Sequence, residues 1–323
     1  MDDRIDTYAS LAPYASLAQR VIVITGPTAS GKSEIALELA ARIGGEILSL
    51  DSIAVYRGMD IGTAKPTLED QNRVPHHLID LVDPNESFSV ACYLKESHRI
   101  VDELEAKNTP AIFVGGTPMF LKAVLRGFDP GPPADEAFRQ SVERDLAQFG
   151  PLALHQRLQQ VDPLAAHRIA PTDARRMIRA LEVAYHTGQP LSHRQIQFDQ
   201  AVAALACNVF WMSWDRAKLH HRINERVNKM FTSGLVQEVR GLLDNYGTLS
   251  KTAAQAVGYR ELIESFETDN DLEKAKEFIA IHTRQLAKRQ ETWFRSFSEI
   301  RTVSLDENMN PESVAANIEK QLV

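Results

Sequence analysis

"VIVITGPTASGKSEIALELAARIGG", Val21–Gly45, is the stretch that decides the fold. A β-branched run, Val21–Thr25, reads as a buried strand. A glycine loop follows, then Lys32-Ser33, then a helical pattern with apolar residues at Ile35, Leu37, Leu39, Ala40 and Ile43, stopped by Gly44-Gly45. Gly26, Pro27, Thr28, Ala29, Ser30, Gly31, Lys32 and Ser33 match G-x-x-x-x-G-K-S/T in full, between a strand and a helix. In such a loop the backbone N–H groups and the helix N-terminus face an anion. Lys32 adds a point charge, and the Ser33 hydroxyl is placed for Mg²⁺. The motif specifies a diphosphate and a metal. It leaves open a nucleotide being hydrolysed, a nucleotide donating a phosphoryl group, or the diphosphate of something else.

Outward from the loop, strands and helices alternate. Glu46–Leu50 reads as a second strand ending at Asp51, residues 91–106 as a helix, and Ala111–Val114 as a third strand ending at Gly115-Gly116-Thr117. Such alternation predicts an α/β fold with a mostly parallel sheet and right-handed crossovers. Ligands bind beyond the carboxyl ends of such strands, so the loop, Asp51 and Thr117 are expected to line one crevice. The composition shifts at "GFDPGPPADE", residues 127–136, which reads as a hinge. Beyond it the pattern is helical to about Gly188, before "NVFWMSW", Asn208–Trp214, reads as another strand. The expected organisation is a mobile lead-in over residues 1–20, a P-loop α/β core over 21–130 and 200–323 with a helical C-terminal part, and an inserted helical domain over 131–199. A last short strand is expected at Arg301–Leu305.

Bulk properties set limits. At 323 residues, two domains are the prior. Two distant cysteines, Cys92 and Cys207, favour neither a disulfide framework nor a zinc site. No apolar run reaches the roughly 20 residues of a membrane helix, and the N-terminus is acidic where a secretory signal would be basic. A cytoplasmic monomer without a membrane span is the expectation. A net charge of −7 argues against nucleic acid only on average over the surface. Local clusters point the other way. Arg175, Arg176 and Arg179 fall within little more than one helical turn. Arg284, Lys288, Arg289 and Arg295 are interleaved with Trp293 and Phe294, a composition suited to phosphate contact and base stacking. Arg216, Lys218, Arg222, Arg226 and Lys229 form a third basic stretch. The first two have a structural alternative: a solvated helix for the first, and an amphipathic helix with Trp293 and Phe294 turned inward for the second.

Two residues at strand ends carry the candidate chemistry. Asp51 reads as a carboxylate on Mg²⁺, as a general base, or as a cap of the next turn; the long loop after it, "DSIAVYRGMDIGTAKP", favours a role on the acceptor side. Thr117 reads equally as a substrate-contacting hydroxyl or a helix N-cap. The pairs His76-His77 and His220-His221 lack helical metal spacing and are read as structural.

GPTASGKS (26–33), DSIAVYRGMDIGTAKP (51–66), VPHHLIDLVDP (74–84), FVGGT (113–117), DARRMIRALEV (173–183), TGQPLS (187–192), QAVGYREL (255–262) and TRQLAKRQETWFR (283–295) together resemble the tRNA dimethylallyltransferases, also called tRNA isopentenyltransferases. With no Cys/His finger after Phe297, the resemblance is to the bacterial type. It implies transfer of a dimethylallyl group from its diphosphate to the exocyclic amine of the adenosine 3′ of the anticodon, in tRNAs reading codons that begin with U. The loop, with its nucleotide- and ATP-binding type of motif, would then hold a leaving group rather than a spent nucleotide. Asp51 would be the base, since a free carboxylate is ionised at neutral pH, and Thr117 would touch the target nucleotide or the donor. Thr28 would bond the diphosphate bridge, and Arg222 would be a further diphosphate contact. The resemblance also implies tRNA contacts at Asp51, Ser52, Ile53, Ala54, Thr117, Arg139, Arg175, Arg176, Met177, Ile178, Arg179, Gln255, Gly258, Tyr259, Arg260, Lys288, Arg289, Gln290, Trp293 and Arg295. The partners would be the anticodon stem-loop, clamped by the helical insertion, and dimethylallyl diphosphate with Mg²⁺. The target base must leave its stack to reach the crevice.

Two positions depart from the family pattern. Pro118-Met119-Phe120 stands where a Gly, an apolar residue and a Tyr are usual, and Ala54 replaces a common Gln. Competing readings are a small-molecule P-loop kinase with Arg175, Arg176 and Arg179 as its lid, a nucleotide-gated RNA-binding module, and an enzyme prenylating free AMP. The basic segments beyond residue 200 disfavour the last.

Overall fold

The computed structural model describes residues 13–195 and 203–323. Its centre is β1 (Ile22–Thr25), four residues buried on both faces, as a continuous apolar run requires of an interior parallel strand. The chain continues through α1 (Lys32–Ile43), β2 (Glu46–Leu50), α2 (Leu68–Arg73), the two-residue β3 (His76–His77), α3 (Val90–Ala106), β4 (Ala111–Gly115) and α4 (Pro118–Arg126). Four further helices follow: α5 (Glu136–Val161), α6 (Pro163–Arg168), α7 (Ala174–Thr187) and α8 (Leu191–Arg194). The core resumes with β5 (Asn208–Trp214), α9 (Arg216–Thr232), α10 (Leu235–Tyr246), α11 (Lys251–Ala254), α12 (Tyr259–Glu267), α13 (Leu272–Phe294), β6 (Ile300–Leu305) and α14 (Pro311–Glu319). The six strands run in the order β3-β2-β4-β1-β5-β6, every pair parallel. This is the expected α/β fold of P-loop type.

Helix α1 has Glu34 in its first turn and Arg42 in its last, matching the helix dipole. It buries Ile35, Ala36, Leu39 and Ala40 in one apolar cluster with Ile22, Ile24, Ile112, Phe210 and Met212 of the strands and Val314, Ala315 and Ile318 of α14. Fully burying a side chain such as Ile24 or Leu39 contributes on the order of 2 kcal/mol. On α3 and α4, Tyr93 stacks on Phe120 with ring centroids 3.9 Å apart, and the Tyr93 hydroxyl donates to the Ser49 carbonyl of β2.

A second cluster fixes the wall of the crevice. Val55, Tyr56 and Met59 from the loop after β2 pack with Val227, Leu235, Val239, Tyr259, Leu262 and Ile279 of α9 to α13. The segment after Asp51 is thus a packed wall, although it has no regular secondary structure until α2.

Among the described residues the chain forms two compact units: 17–125 with 203–323, and 13–16 with 126–195. Of the lead-in expected over residues 1–20, residues 1–12 lie outside the described residues. The rest needs correction. Leu17 and Ala18 are buried, and the Leu17 N–H donates to the Val124 carbonyl, because an apolar pair next to β1 gains more from the core than from water. Tyr14 pairs with Phe128 within the helical unit. That unit has its own core of Val142, Leu154, Leu158, Ala165, Ala166, Met177, Ile178 and Leu181. Its long helix α5 is broken at Gly150, where φ is 80° and a proline follows. No helix among the described residues is long and apolar enough to cross a membrane.

Candidate active site

The loop after β1 is a formed cradle. Ala29 and Gly31 both take positive φ, 64° and 81°, which turns successive backbone N–H groups toward one concavity. Gly26 has no room for a side chain: a Cβ there would lie 2.8 Å from Ser30 Oγ and 3.0 Å from Met212. Trp214 Nε1 donates to the Ser30 carbonyl at 2.9 Å. Arg222 Nε donates to the Ala29 carbonyl at 2.8 Å, with its guanidinium 4.5 Å over the Trp214 ring. Arg222 therefore buttresses the loop. The Ser30 hydroxyl is buried without a hydrogen-bond partner, which is costly unless an acceptor or donor meets it there. Ser33 stands exposed in the first turn of α1.

Three charges meet across the crevice. Lys32 Nζ donates to the Pro27 carbonyl at 3.2 Å. Burial and the nearby Arg226 guanidinium push Lys32 down to about 8, opposed by the Asp51 carboxylate. Burial lowers Arg226 as well, again opposed by Asp51. Arg226 donates to the Thr63 carbonyl at 3.3 Å, so it joins α9 to the wall loop. Asp51 Oδ1 accepts from the Ile53 N–H at 2.8 Å, fixing one carboxylate oxygen at the end of β2. The Thr117 hydroxyl accepts from the Ser52 N–H at 3.1 Å. Gly115 makes that approach possible, since a Cβ there would lie 2.2 Å from the Leu50 carbonyl oxygen. The loop, Asp51 and Thr117 thus stand at the ends of β1, β2 and β4, three adjacent strands.

The sequence placed Arg226 only in a basic stretch, and Glu238 nowhere. Arg226 lies four positions after Arg222, so both occupy one face of α9; that spacing was the signal for its place in the site. Glu238 accepts from the backbone N–H groups of Asp60 (3.0 Å), Ile61 (2.7 Å) and Gly62 (3.2 Å) and from the Tyr259 hydroxyl (2.6 Å). It anchors the wall loop from 176 residues away, and nothing local announces it.

The expected RNA contacts divide. Lys288, Arg289 and Arg295 are exposed on α13 and just beyond it, with Trp293 41% exposed; Phe294 instead packs on Trp211 at 4.4 Å. Gln255 is exposed and Ser52 and Ile53 half-buried. Arg260 donates to Glu261 and stands against His282. Gly258 takes φ 100° before α12. Gln290, Tyr259 and Ala54 are buried, Gln290 between two backbone groups, Tyr259 on Glu238 and Ala54 within the wall loop. In the helical unit, Arg175 and Arg176 are exposed, whereas Met177 and Ile178 belong to the core, on the apolar stripe of α7. Arg139 and Arg179 both bond the fully buried Glu182 carboxylate, so their guanidiniums hold that unit together.

Of the histidine pairs, His76 Nδ1 donates to the Val74 carbonyl, His77 pairs with Glu46 and the exposed His221 with Glu225. Among the described residues no group of three or more His, Cys, Asp or Glu could hold a metal ion.

Sheet order, loop and inserted helices define a P-loop-type α/β protein whose strand ends carry a phosphate cradle facing a carboxylate. Residues 54–297 match a family model described as IPP transferase, and residues 19–80 one described as isopentenyl transferase. The tRNA dimethylallyltransferase of Rhodopirellula baltica is 59% identical over 297 residues, covering 90% of this chain and 89% of that one. The crystal structure of the full-length tRNA isopentenylpyrophosphate transferase of Bacillus halodurans superposes with a TM-score of 0.67 at 36% identity, covering 94% of this chain and 96% of that one. A eukaryotic dimethylallyltransferase acting on tRNA gives a TM-score of 0.72 at 26% identity, over 88% of this chain and 73% of that one. The chain belongs to the IPP transferase family, the tRNA dimethylallyltransferases, and is a prenyltransferase that modifies tRNA.

Proposed function

We propose that the enzyme moves the dimethylallyl group of dimethylallyl diphosphate onto the exocyclic amine of the adenosine 3′ of the anticodon, in tRNAs reading codons that begin with U. The observation that carries this reading is the meeting of Lys32, Arg226 and Asp51 at adjoining strand ends, cations on the loop side and a carboxylate on the other. As the allylic carbon–oxygen bond breaks, negative charge grows on the departing diphosphate. The loop N–H groups, the Ser30 and Thr28 hydroxyls, Lys32 and Arg226 stand where that charge develops, and donors fixed in advance stabilise it best. The adenine amine is a weak nucleophile and loses a proton as it is alkylated. Asp51 Oδ2 accepts that proton, while Oδ1 stays on the Ile53 N–H. Thr117, held on the Ser52 N–H, orients the target base beside it.

Mg²⁺ suits this site. It commonly takes one or two protein oxygens plus substrate phosphates and waters, and the exposed Ser33 hydroxyl at the mouth of the loop fits that demand, as does the unpartnered Ser30 hydroxyl for a phosphate oxygen. When bound, it would neutralise charge on the diphosphate, with Ser33 as its protein ligand. The exposed Lys288, Arg289, Trp293 and Arg295 support a role for α13 in RNA contact, and Arg175 and Arg176 a second one on the helical unit.

The test is incubation with dimethylallyl diphosphate, Mg²⁺ and unmodified tRNAs of several anticodons, followed by nucleoside mass analysis. A prenyl mass gain on one adenosine, confined to U-reading tRNAs, is expected. Unaltered RNA, with brisk ATP consumption in the presence of a small acceptor, would establish the kinase reading instead.

A further inference from the structure

Gln290 sits on α13 next to Lys288 and Arg289, yet it is 7% exposed and turned inward. Its Oε1 accepts from the Thr28 N–H of the phosphate loop at 3.0 Å. Its Nε2 donates to the Gly116 carbonyl at 2.7 Å. An N–H can only donate and a carbonyl can only accept, so these partners admit one orientation of the amide. No apolar side chain of the same size satisfies either. Space around it is equally specific: a Cβ on Gly116 would lie 2.5 Å from Gln290 Nε2 and 3.0 Å from the Gly26 carbonyl oxygen.

The two groups it joins belong to opposite sides of the reaction. Thr28 lies in the donor's cradle. Gly116 precedes Thr117, whose hydroxyl holds the Ser52 N–H beside Asp51. We propose that Gln290 is a positioning residue for the transfer, its one amide fixing the separation between the donor loop and the acceptor turn. The inference rests on the function proposed above, because that function assigns the two sides. Attack at carbon is steep in distance; a misplacement of about 1 Å can cost on the order of a hundredfold in rate. Loss of the amide also leaves two buried backbone groups unpaired, so the two segments relax independently.

Two variants test this, each first checked for folding by thermal unfolding. Gln290→Met keeps the volume and removes both hydrogen bonds. We expect kcat to fall by about ten- to a hundredfold, with tRNA affinity within about twofold of wild type. Gln290→Glu is a pH-dependent test of the same geometry. A protonated carboxyl donates and accepts like the amide, whereas a carboxylate repels the Gly116 carbonyl. Burial disfavours the ionised form. The activity of Gln290→Glu relative to wild type at each pH should therefore be low at about pH 8 and recover toward about pH 6. An unchanged kcat for Gln290→Met would overturn the proposal, as would a pH-independent ratio for Gln290→Glu. Lost tRNA affinity with intact kcat would make Gln290 an RNA contact, and would overturn it too. If wild type itself leaves tRNA unprenylated, the functional reading fails separately. The Gln290 tether is then read from Mg²⁺-pyrophosphate binding: about tenfold weaker in Gln290→Met supports it, and equal binding overturns it.

Discussion

At the scale of single residues, the site separates charge that holds from charge that reacts. Asp51 keeps one oxygen on a backbone N–H, and in the proposed reaction the other takes the proton. Asp51→Ala is expected to lower turnover by about 10²–10⁴-fold while tRNA affinity stays near wild type; single-turnover rates beside filter binding distinguish the two. Lys32 makes a pH prediction. Its ammonium, pushed down to about 8 by burial and by Arg226, loses its proton in the free enzyme well before an ordinary lysine. A neutral amine attracts a diphosphate less. Affinity for dimethylallyl diphosphate should therefore fall as pH rises from about 7.5 to 9, a range in which an ordinary lysine stays charged. Lys32→Arg, charged throughout, should show a flat profile. The sign for stability is opposite. Below about pH 8 the lysine is charged in both folded and unfolded chains, so its burial cost is fully present. As pH rises further the folded chain sheds its proton first and the apo enzyme gains stability. Titrating both quantities on one preparation checks the pair of signs.

At the scale of elements, the wall loop is the feature that most needs outside help. It has no strand or helix from Asp51 to the start of α2, so its backbone groups depend on distant side chains. Glu238 takes three of its N–H groups together with the Tyr259 hydroxyl. Burial and the Glu238 carboxylate raise the Tyr259 phenol well above its usual range, so it stays a donor. Lys65 Nζ donates to the Tyr56 carbonyl and the Asp60 carboxylate of the loop and to the Asp80 carboxylate beyond β3. Glu238→Ala should cost about 2 kcal/mol of stability, chiefly by orphaning the buried Tyr259 hydroxyl. Because Arg226 bonds Thr63 in the same loop, it should also raise KM for the diphosphate; unfolding curves and steady-state kinetics on one variant test both. This is where sequence reading ran out. The phosphate loop was legible because its residues are contiguous and flanked by a strand and a helix. Asp51 and Thr117 were legible because parallel strands place their carboxyl ends together. Glu238 and Gln290 act across 176 and 262 positions, and no local pattern encodes a partner so remote. Strand β3 was missed because two histidines carry no β-strand periodicity; its pairing with β2 creates it. Met177 and Ile178 show the reverse. The resemblance implied RNA contacts there, and in the structure both side chains lie in the core of the helical unit.

At the scale of the whole molecule, a chain of net charge −7 carries two units with separate cores and separable jobs. The α/β unit contains the cradle, Asp51 and Gln290; the helical unit presents Arg175 and Arg176, and the reading proposed above assigns it none of the reacting groups. The helical unit hangs on Glu182, which is fully buried and bonded by Arg139, Arg179 and the Asp135 N–H. Desolvation pushes its carboxyl up, but Arg139 and Arg179 outweigh that and hold it below the usual range. A depressed carboxylate contributes stability that is present above its unfolded pKa and lost as pH falls through the folded one. Acid below the usual carboxylate range should therefore loosen this unit, and Glu182→Ala should do so at neutral pH by about 1–3 kcal/mol, since two half-buried guanidiniums and the Asp135 N–H lose their shared partner. The two-unit organisation makes the consequence specific. In Glu182→Ala, binding of Mg²⁺-pyrophosphate by the α/β unit should persist, while affinity for the anticodon stem-loop falls and its salt dependence flattens by about one unit of slope per lost phosphate contact. Calorimetry with pyrophosphate beside RNA titrations at several salt concentrations separates the two. Loss of both binding activities together would mean that the units fold as one, and that the helical insertion supports the cradle as well as the RNA.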